Sequence, residues 1–223
     1  MSEGIMTTLV EAPIQSTVGA EQRVMLHGVS WQTYQNISAA LEPHPSVRLT
    51  YDRGVLEIMT VSFLHEKFKG IIGDIVKTIA YEMEIDFVSS GQTTFQIERK
   101  AGGFEGDDSF YFSNLEQLRQ QENIDLLADP PPALVVEVDL TSPSLNKFEI
   151  FSRFGVKELW RYHDHEVTIY ELVGEDFIER GDSVFLPGVT AAKVTELIAL
   201  HQQLPAYAWQ KKVREYARQC KGK

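Results

Sequence analysis

PPPALVVEVDLTSPSLNK, residues 130–147, is the stretch on which the fold turns. An apolar strand acquires two acids, breaks at a turn, and gives way to a helix whose opening carries a lysine. Residues two apart in a strand share a face. Leu134, Val136 and Val138 therefore take one side, and Val135, Glu137 and Asp139 the other. Carboxylates beside a core are costly unless positive charge sits between them. A hard divalent cation on their oxygens meets that need. A solvated strand end avoids it altogether, and this window alone does not choose.

The downstream residues favour the cation. Ser142 or Ser144 can cap a helix and Pro143 suits its first turn. Leu145, Phe148, Phe151 and Gly155 trace the buried side, with Gly155 as the stop. Lys147 lies three, four and seven positions before Ile150, Phe151 and Phe154, which turns it toward the sheet. Acids and an ammonium at a strand end suit metal-assisted attack on a phosphate, the cation activating water and the lysine offsetting charge. Alone, Lys147 reads equally as a surface lysine paired with Glu137 or Glu149.

A further acid joins from GFEGDDSFYF, residues 103–112, a loop that leads into a short aromatic strand with Asp107 and Asp108 at its mouth. This segment, together with DPPPALVVEVDLTSPSLNKFEIFSRFGVKELWRY at 129–162, resembles the Uma-type restriction-endonuclease family within the PD-(D/E)XK nuclease superfamily. The likeness runs from GVLEIM (54–59) and LHEKFKGIIGDIV (64–76) to SVFLPGV (183–189). The resemblance implies an α/β (α+β) restriction-endonuclease-like core, a mixed central sheet flanked by helices, with extra N-terminal strands. It implies cleavage of DNA phosphodiesters, on duplex DNA, and cutting two antiparallel strands suits a twofold homodimer. Asp107 matches the aspartate of the first motif element and Glu137 the acid of the second. These two would hold one or two Mg2+ or Mn2+ ions, together with the main-chain carbonyl of Val138. The lysine normally two residues after the glutamate is replaced by Asp139, an auxiliary group. Lys147, on the following helix, fits the family's relocated lysine. Gly106 replaces the proline expected before Asp107, which removes no ligand. Nucleases of this class also place an acid early in a long helix, and Glu66 stands there. Two rivals share this fold: a non-catalytic nucleic-acid-binding or interaction module, and a metal-dependent phosphodiesterase acting on RNA or nucleotides.

The bulk properties set limits. With 223 residues, 43% of them hydrophobic, the chain can build one good core. No apolar run approaches the roughly 20 residues of a membrane span. We expect no secretion signal, since no basic flank precedes an apolar block. A single cysteine, Cys220, excludes an intramolecular disulfide and a Cys-rich zinc site, and suits a cytoplasmic protein. The net charge of −11 excludes nucleic-acid binding by bulk electrostatics, but clustered acids awaiting cations contribute to it.

The remaining segments complete the plan. Residues 1–22 lack periodicity and are expected to be a mobile arm, 23–200 the nuclease-like domain and 201–223 a basic helix or tail. Ser30 caps a short helix, and SVRLTYDRGVLEIM (46–59) forms a hairpin about Asp52-Arg53-Gly54. Glu57 on its second strand is either another site acid or the partner of Arg53 or Arg48. The helix over 62–84 is the clearest, with Leu64, Phe68, Ile71, Ile72, Ile75, Ile79 and Met83 at spacings of three and four. Glu66 also reads as a solvated first-turn acid, and His65 beside it as packed rather than a ligand. Gly70 and Gly73 on this helix suggest close approach of another segment. Further hairpins are expected about Gly91, from DFVSS and TTFQIE, and about His163-Asp164. The His163-x-His165 pair has no third ligand nearby. From Tyr207 onward, Lys211, Lys212, Arg214, Arg218, Lys221 and Lys223 face one acid, Glu215, either as a phosphate-binding cluster or as a solvated helix face.

Overall fold

The alternation at residues 134–139 becomes a strand buried along its whole length, and the chain is layered on its two faces. The computed structural model describes residues 21–42, 44, 46–140 and 145–221. In chain order they form β1 (Gln22–His27), α1 (Trp31–Leu41), β2 (Val47–Asp52), β3 (Val55–Thr60), α2 (Phe63–Met83), β4 (Val88–Ser89), β5 (Thr94–Ile97), β6 (Gly102–Glu105), β7 (Asp108–Tyr111), α3 (Leu115–Gln120), β8 (Leu134–Asp139), α4 (Lys147–Phe154), β9 (Glu158–His163), β10 (Glu166–Val173), β11 (Asp176–Arg180), α5 (Ala191–His201) and α6 (Ala206–Lys221).

Two sheets result. Six strands run in the order β11-β10-β9-β8-β7-β4, and five in the order β1-β3-β2-β6-β5. Among the described residues, only β8 and β9 pair in parallel, because α4 carries the chain back across the sheet between them. The architecture is therefore the expected α/β one, a mixed sheet flanked by helices, with the N-terminal strands extending the molecule as part of a second sheet.

The two faces of β8 enter different cores. Leu134, Val136 and Val138 pack with Phe68, Ile72 and Ile75 of α2, Leu197 of α5 and Trp209 of α6. Val135 packs on the other side with Phe95, Phe104, Phe151 and Phe154. A third cluster, Tyr34, Leu49, Tyr51 and Leu56, seats α1 on the five-stranded sheet. The expected alternation thus survives intact, and Glu137 and Asp139 continue the Val135 side.

Several local expectations hold because their signals are short-range. Ser30 caps α1 as expected, its hydroxyl accepting from the Thr33 amide, and Ser62, for which no cap was expected, does the same for α2 with the His65 amide. β2 and β3 form the 46–59 hairpin, and β9 and β10 the second one. Others need correction. The strands from DFVSS and TTFQIE do not pair with each other: β4 joins β7 in the larger sheet, whereas β5 joins β6 in the smaller. Gly91 marks where the chain changes sheets. The segment read as one loop and one strand at 103–112 is likewise split, β6 lying in one sheet and β7 in the other. α4 starts at Lys147, with Asn146 at its N-cap; the expected caps Ser142 and Ser144, and Pro143, lie outside the described residues. Of the expected arm, residues 1–20 lie outside them too, whereas Glu21 is described and Gln22 opens β1. Among the described residues, no helix is long and apolar enough to cross a membrane.

Candidate active site

The change of sheet between β6 and β7 fixes Asp107. Its amide donates to the Val136 carbonyl at 3.1 Å, which ties the residue to β8 before β7 begins. Its Oδ2 accepts from the Val138 amide at 2.7 Å. Gly106 is required here by close approach. A Cβ at that position would lie 2.8 Å from Cγ1 of Val135 and 3.2 Å from Oγ of Ser109, so the proline of the family pattern has no room. About three turns into α2, Gly73 plays a similar part, since its Cβ would meet Oδ2 of Asp108 at 2.6 Å.

The second oxygen of Asp107 meets His65. Nε2 of His65 is 2.8 Å from Oδ1 of Asp107, and Nδ1 is 2.5 Å from Oε1 of Glu21. A ring with carboxylates on both nitrogens is an imidazolium, because both nitrogens must donate. Burial opposes the charge, but the two carboxylates outweigh it and hold the His65 pKa near 9. Asp107 is reciprocally kept anionic: against its burial, His65, Lys147 and the Val138 amide hold its carboxyl below the ordinary value.

Glu137 faces the same region from β8. Nζ of Lys147, the first residue of α4, lies 2.6 Å from its Oε2. Helix geometry and strand alternation thus bring together the two groups that sequence placed on converging elements. Oε1 of Glu137 is buried and, among the described residues, has no hydrogen-bond partner. Burial lifts the Glu137 carboxyl well above the usual range despite Lys147, and the nearby charges of Asp107 and Asp139 add to that. Burial likewise works against the Lys147 ammonium, but Glu137, Asp107 and Asp139 together outweigh it and strengthen its hold on the proton. A cavity of about 360 Å3 opens over this pair, walled by Leu145, Phe148, Phe151 and Leu159, with Arg161 and Asp139 at its polar side.

The other candidate groups occupy distinct positions. Asp139 is held by Arg161 at 2.7 Å and lies 3.8 Å from Arg23. Glu57 is buried on β3 and bonded to Arg23 at 3.3 Å. Glu66 is 41% exposed and bridges Lys69 and Arg48, and Nε of the same Arg48 lies 4.0 Å from Oδ1 of Asp107. α6 lies against α2, on the far face of the sheet from Glu137. Its Lys212 pairs with Glu215, and Arg214 and Arg218 with Glu82, while Lys211 lies over the Tyr207 ring. Nδ1 of His163 donates to the main-chain oxygen of Asp139 at 2.9 Å, and His165 is exposed in the turn.

Whether these groups suit a cation depends on their donor chemistry. Among the described residues, no three of His, Cys, Asp and Glu converge as a cage. Mg2+ does not need one, since it keeps several waters and uses one or two carboxylates plus substrate phosphates. Two hard carboxylates, one with a buried oxygen that has no partner among the described residues, fit that requirement.

Sequence reasoning missed His65 as a site group, and with it Glu21, Arg23, Arg48 and Arg161. Arg161 carried a usable signal: it alternates with Leu159 on β9 and stands in register with Glu137 across the parallel pair. His65 carried none, because its contacts come from Glu21 and Asp107, 44 and 42 residues away.

The profile of a family described as Uma2, "Putative restriction endonuclease", matches residues 31–206. Among solved structures, one titled as "a putative nuclease belonging to DUF820", from Anabaena variabilis, aligns with 12% identity and a TM-score of 0.41. The alignment covers 76% of this chain and 90% of that one. No functionally curated protein matches.

Proposed function

The chain belongs to the Uma2 family, and on that premise we propose that it is a metal-dependent endonuclease that hydrolyses DNA phosphodiester bonds with Asp107, Glu137 and Lys147. Asp107 and Glu137 would hold Mg2+ or Mn2+, with the Val138 main-chain carbonyl as a further oxygen, and the ion when bound would polarise the phosphate and acidify its water.

The protein's own groups do the rest. His65 and the Val138 amide keep the Asp107 carboxylate charged and aimed, so its position is set before any substrate arrives. Oε1 of Glu137 is an acceptor with nothing to accept from, while Oε2 anchors Lys147. The Lys147 ammonium is held protonated by three acids, and a fixed positive charge beside a phosphate stabilises the extra negative charge of the pentacoordinate transition state. It also orients the attacking water through hydrogen bonds. Arg161 and Arg23 neutralise Asp139, which limits the repulsion an incoming phosphate meets. Duplex DNA has two antiparallel strands, so cutting both suits a twofold homodimer.

One observation carries the reading: Lys147 stands 2.6 Å from a buried glutamate whose second oxygen has no partner among the described residues. The test is incubation of the pure protein with plasmid, linear duplex, single-stranded DNA and RNA, each with Mg2+, Mn2+ or chelator. Metal-dependent cutting of DNA that Asp107→Asn abolishes is expected. Failure to cut any substrate with either ion, or cutting that persists in chelator, would overturn it.

A further inference from the structure

A second cavity, of about 760 Å3, lies between α1 and the five-stranded sheet. Its lining follows from two local periods. Gln32, Gln35 and Asn36 stand three and four apart on α1, one face of a helix, and Gln92, Thr94 and Gln96 alternate leading into and along β5. The opposite side of β5 is fully committed to the core through Phe95 and Ile97. The groove is therefore a polar surface set by the secondary structure itself, and five of its side chains are carboxamides.

Those carboxamides are available. Gln32 bonds Asn36 at 3.1 Å, but among the described residues no hydrogen bond engages the side chains of Gln35, Gln92 or Gln96. Gln35 and Gln92 are half-buried, which gives them defined directions, and Gln96 is exposed. Cations do not dominate the groove. Arg48, almost wholly buried, is paired with Glu66 at 2.9 Å, and Glu105 accepts from the Thr94 hydroxyl at 3.0 Å. A groove built to hold phosphates would be lined with free lysines and arginines; this one is lined with groups that offer a donor and an acceptor side by side. That is the pattern that matches base edges, and carboxamides pair in bidentate fashion with adenine. The groove adjoins the candidate active site through one wall residue, since Arg48 lines it and Nε of Arg48 is 4.0 Å from Oδ1 of Asp107.

We propose that this groove is a base-reading subsite in which Gln35, Gln92 and Gln96 hydrogen-bond nucleobase edges of the nucleic acid delivered to Asp107 and Glu137, giving the protein a sequence preference. The inference rests on the nuclease reading for its choice of ligand. It does not depend on turnover, because base reading is an equilibrium property. The groups that read and the groups that cut are separate.

The test selects bound molecules from a randomised DNA pool, double- and single-stranded, using the full-length chain with calcium or no metal. The same selection is run with Gln35→Ala/Gln92→Ala/Gln96→Ala. Wild type is expected to enrich a short adenine-containing motif, and the triple variant to bind the mixed pool with little change while losing the motif. Discrimination at each affected position should fall by about 5- to 150-fold, the range for a lost bidentate pair. Gln35→Glu, which keeps size but loses the donor, should alter the preferred base rather than abolish binding. The same motif in both proteins, or no motif with wild type, would overturn the subsite even if metal-dependent cutting is observed. A motif that depends on the three glutamines in a protein that cuts nothing would uphold the subsite and sink the nuclease reading instead.

Discussion

Replacing Lys147 by methionine tests the charge balance of the candidate site. The ammonium is 2.6 Å from Oε2 of Glu137. With an effective dielectric near 20, that separation corresponds to about 6 kcal/mol of direct attraction, most of it offset by desolvation. Truncating one partner of a buried pair typically costs about 3–5 kcal/mol, provided the survivor stays charged. Glu137 has an escape. Burial already raises its carboxyl, and losing Lys147 while Asp107 and Asp139 remain raises it further, so in metal-free protein it takes up a proton near neutral pH. The loss is then capped at about 1–3 kcal/mol, the penalty for a buried, unsatisfied polar group. A raised acid stabilises the fold below its unfolded value and loses that contribution as pH rises through its folded value. The variant should therefore lose about 1–3 kcal/mol at pH 6 and more, approaching 3–5 kcal/mol, at pH 9. Urea unfolding in chelator at both pH values measures this. Lys147→Met/Glu137→Leu should recover most of the loss and remove its pH dependence. Equal losses at pH 6 and pH 9, or a double variant no more stable than the single, would refute the reasoning.

Three further outcomes follow from the same structure. Mn2+ at a hundred times its dissociation constant should stabilise the protein by about 2.7 kcal/mol, a rise in Tm of about 5–11 °C at this size, and Asp107→Asn or Glu137→Gln should abolish it; an unmoved melting curve at millimolar Mn2+ contradicts the donor set. Gly106→Ala places a Cβ 2.8 Å from Val135 and should cost about 1–3 kcal/mol by overpacking, read as a lower Tm; an unchanged Tm would show that the β6 to β7 passage has slack. Glu158 is fully buried, and burial raises its carboxyl even though Ser183, Trp160 and the Val184 and Phe185 amides donate to it. Its contribution is thus present below the ordinary glutamate value and lost as pH rises through the folded one, so the stability of wild type relative to Glu158→Gln should decline with rising pH. A flat or rising difference would mean the four donors outweigh burial.

What the sequence made legible was whatever a local period controls. The alternation at 134–139 gave both faces of β8, the three- and four-residue spacing gave α2, and the Asp52-Arg53-Gly54 turn gave the β2–β3 hairpin. Strand partners were less legible, because pairing is decided at long range: β4 and β5 are neighbours in sequence and belong to different sheets. α6 illustrates a signal read incompletely. Its basic residues drew attention, but Trp209, Val213 and Ala217, four apart, form an apolar row that the structure buries against α2. Of the candidate site, Glu137 and Lys147 were legible because a strand and the helix that follows it constrain one another. The carboxylate sandwich on His65 was not, since it joins three segments that no period links.

The central claim is that Lys147 serves the transition state while Asp107 and Glu137 hold the metal. Single-turnover cleavage of a duplex in saturating Mn2+ by wild type, Lys147→Ala and Lys147→Arg, beside the Mn2+-induced shift in Tm of each, separates the two roles. The account predicts that Lys147→Ala keeps the shift but loses about a hundredfold or more in rate. Lys147→Arg should rescue little, because a planar fork does not replace a compact ammonium. Cleavage by Lys147→Ala at the wild-type rate would contradict the account, even with the metal bound.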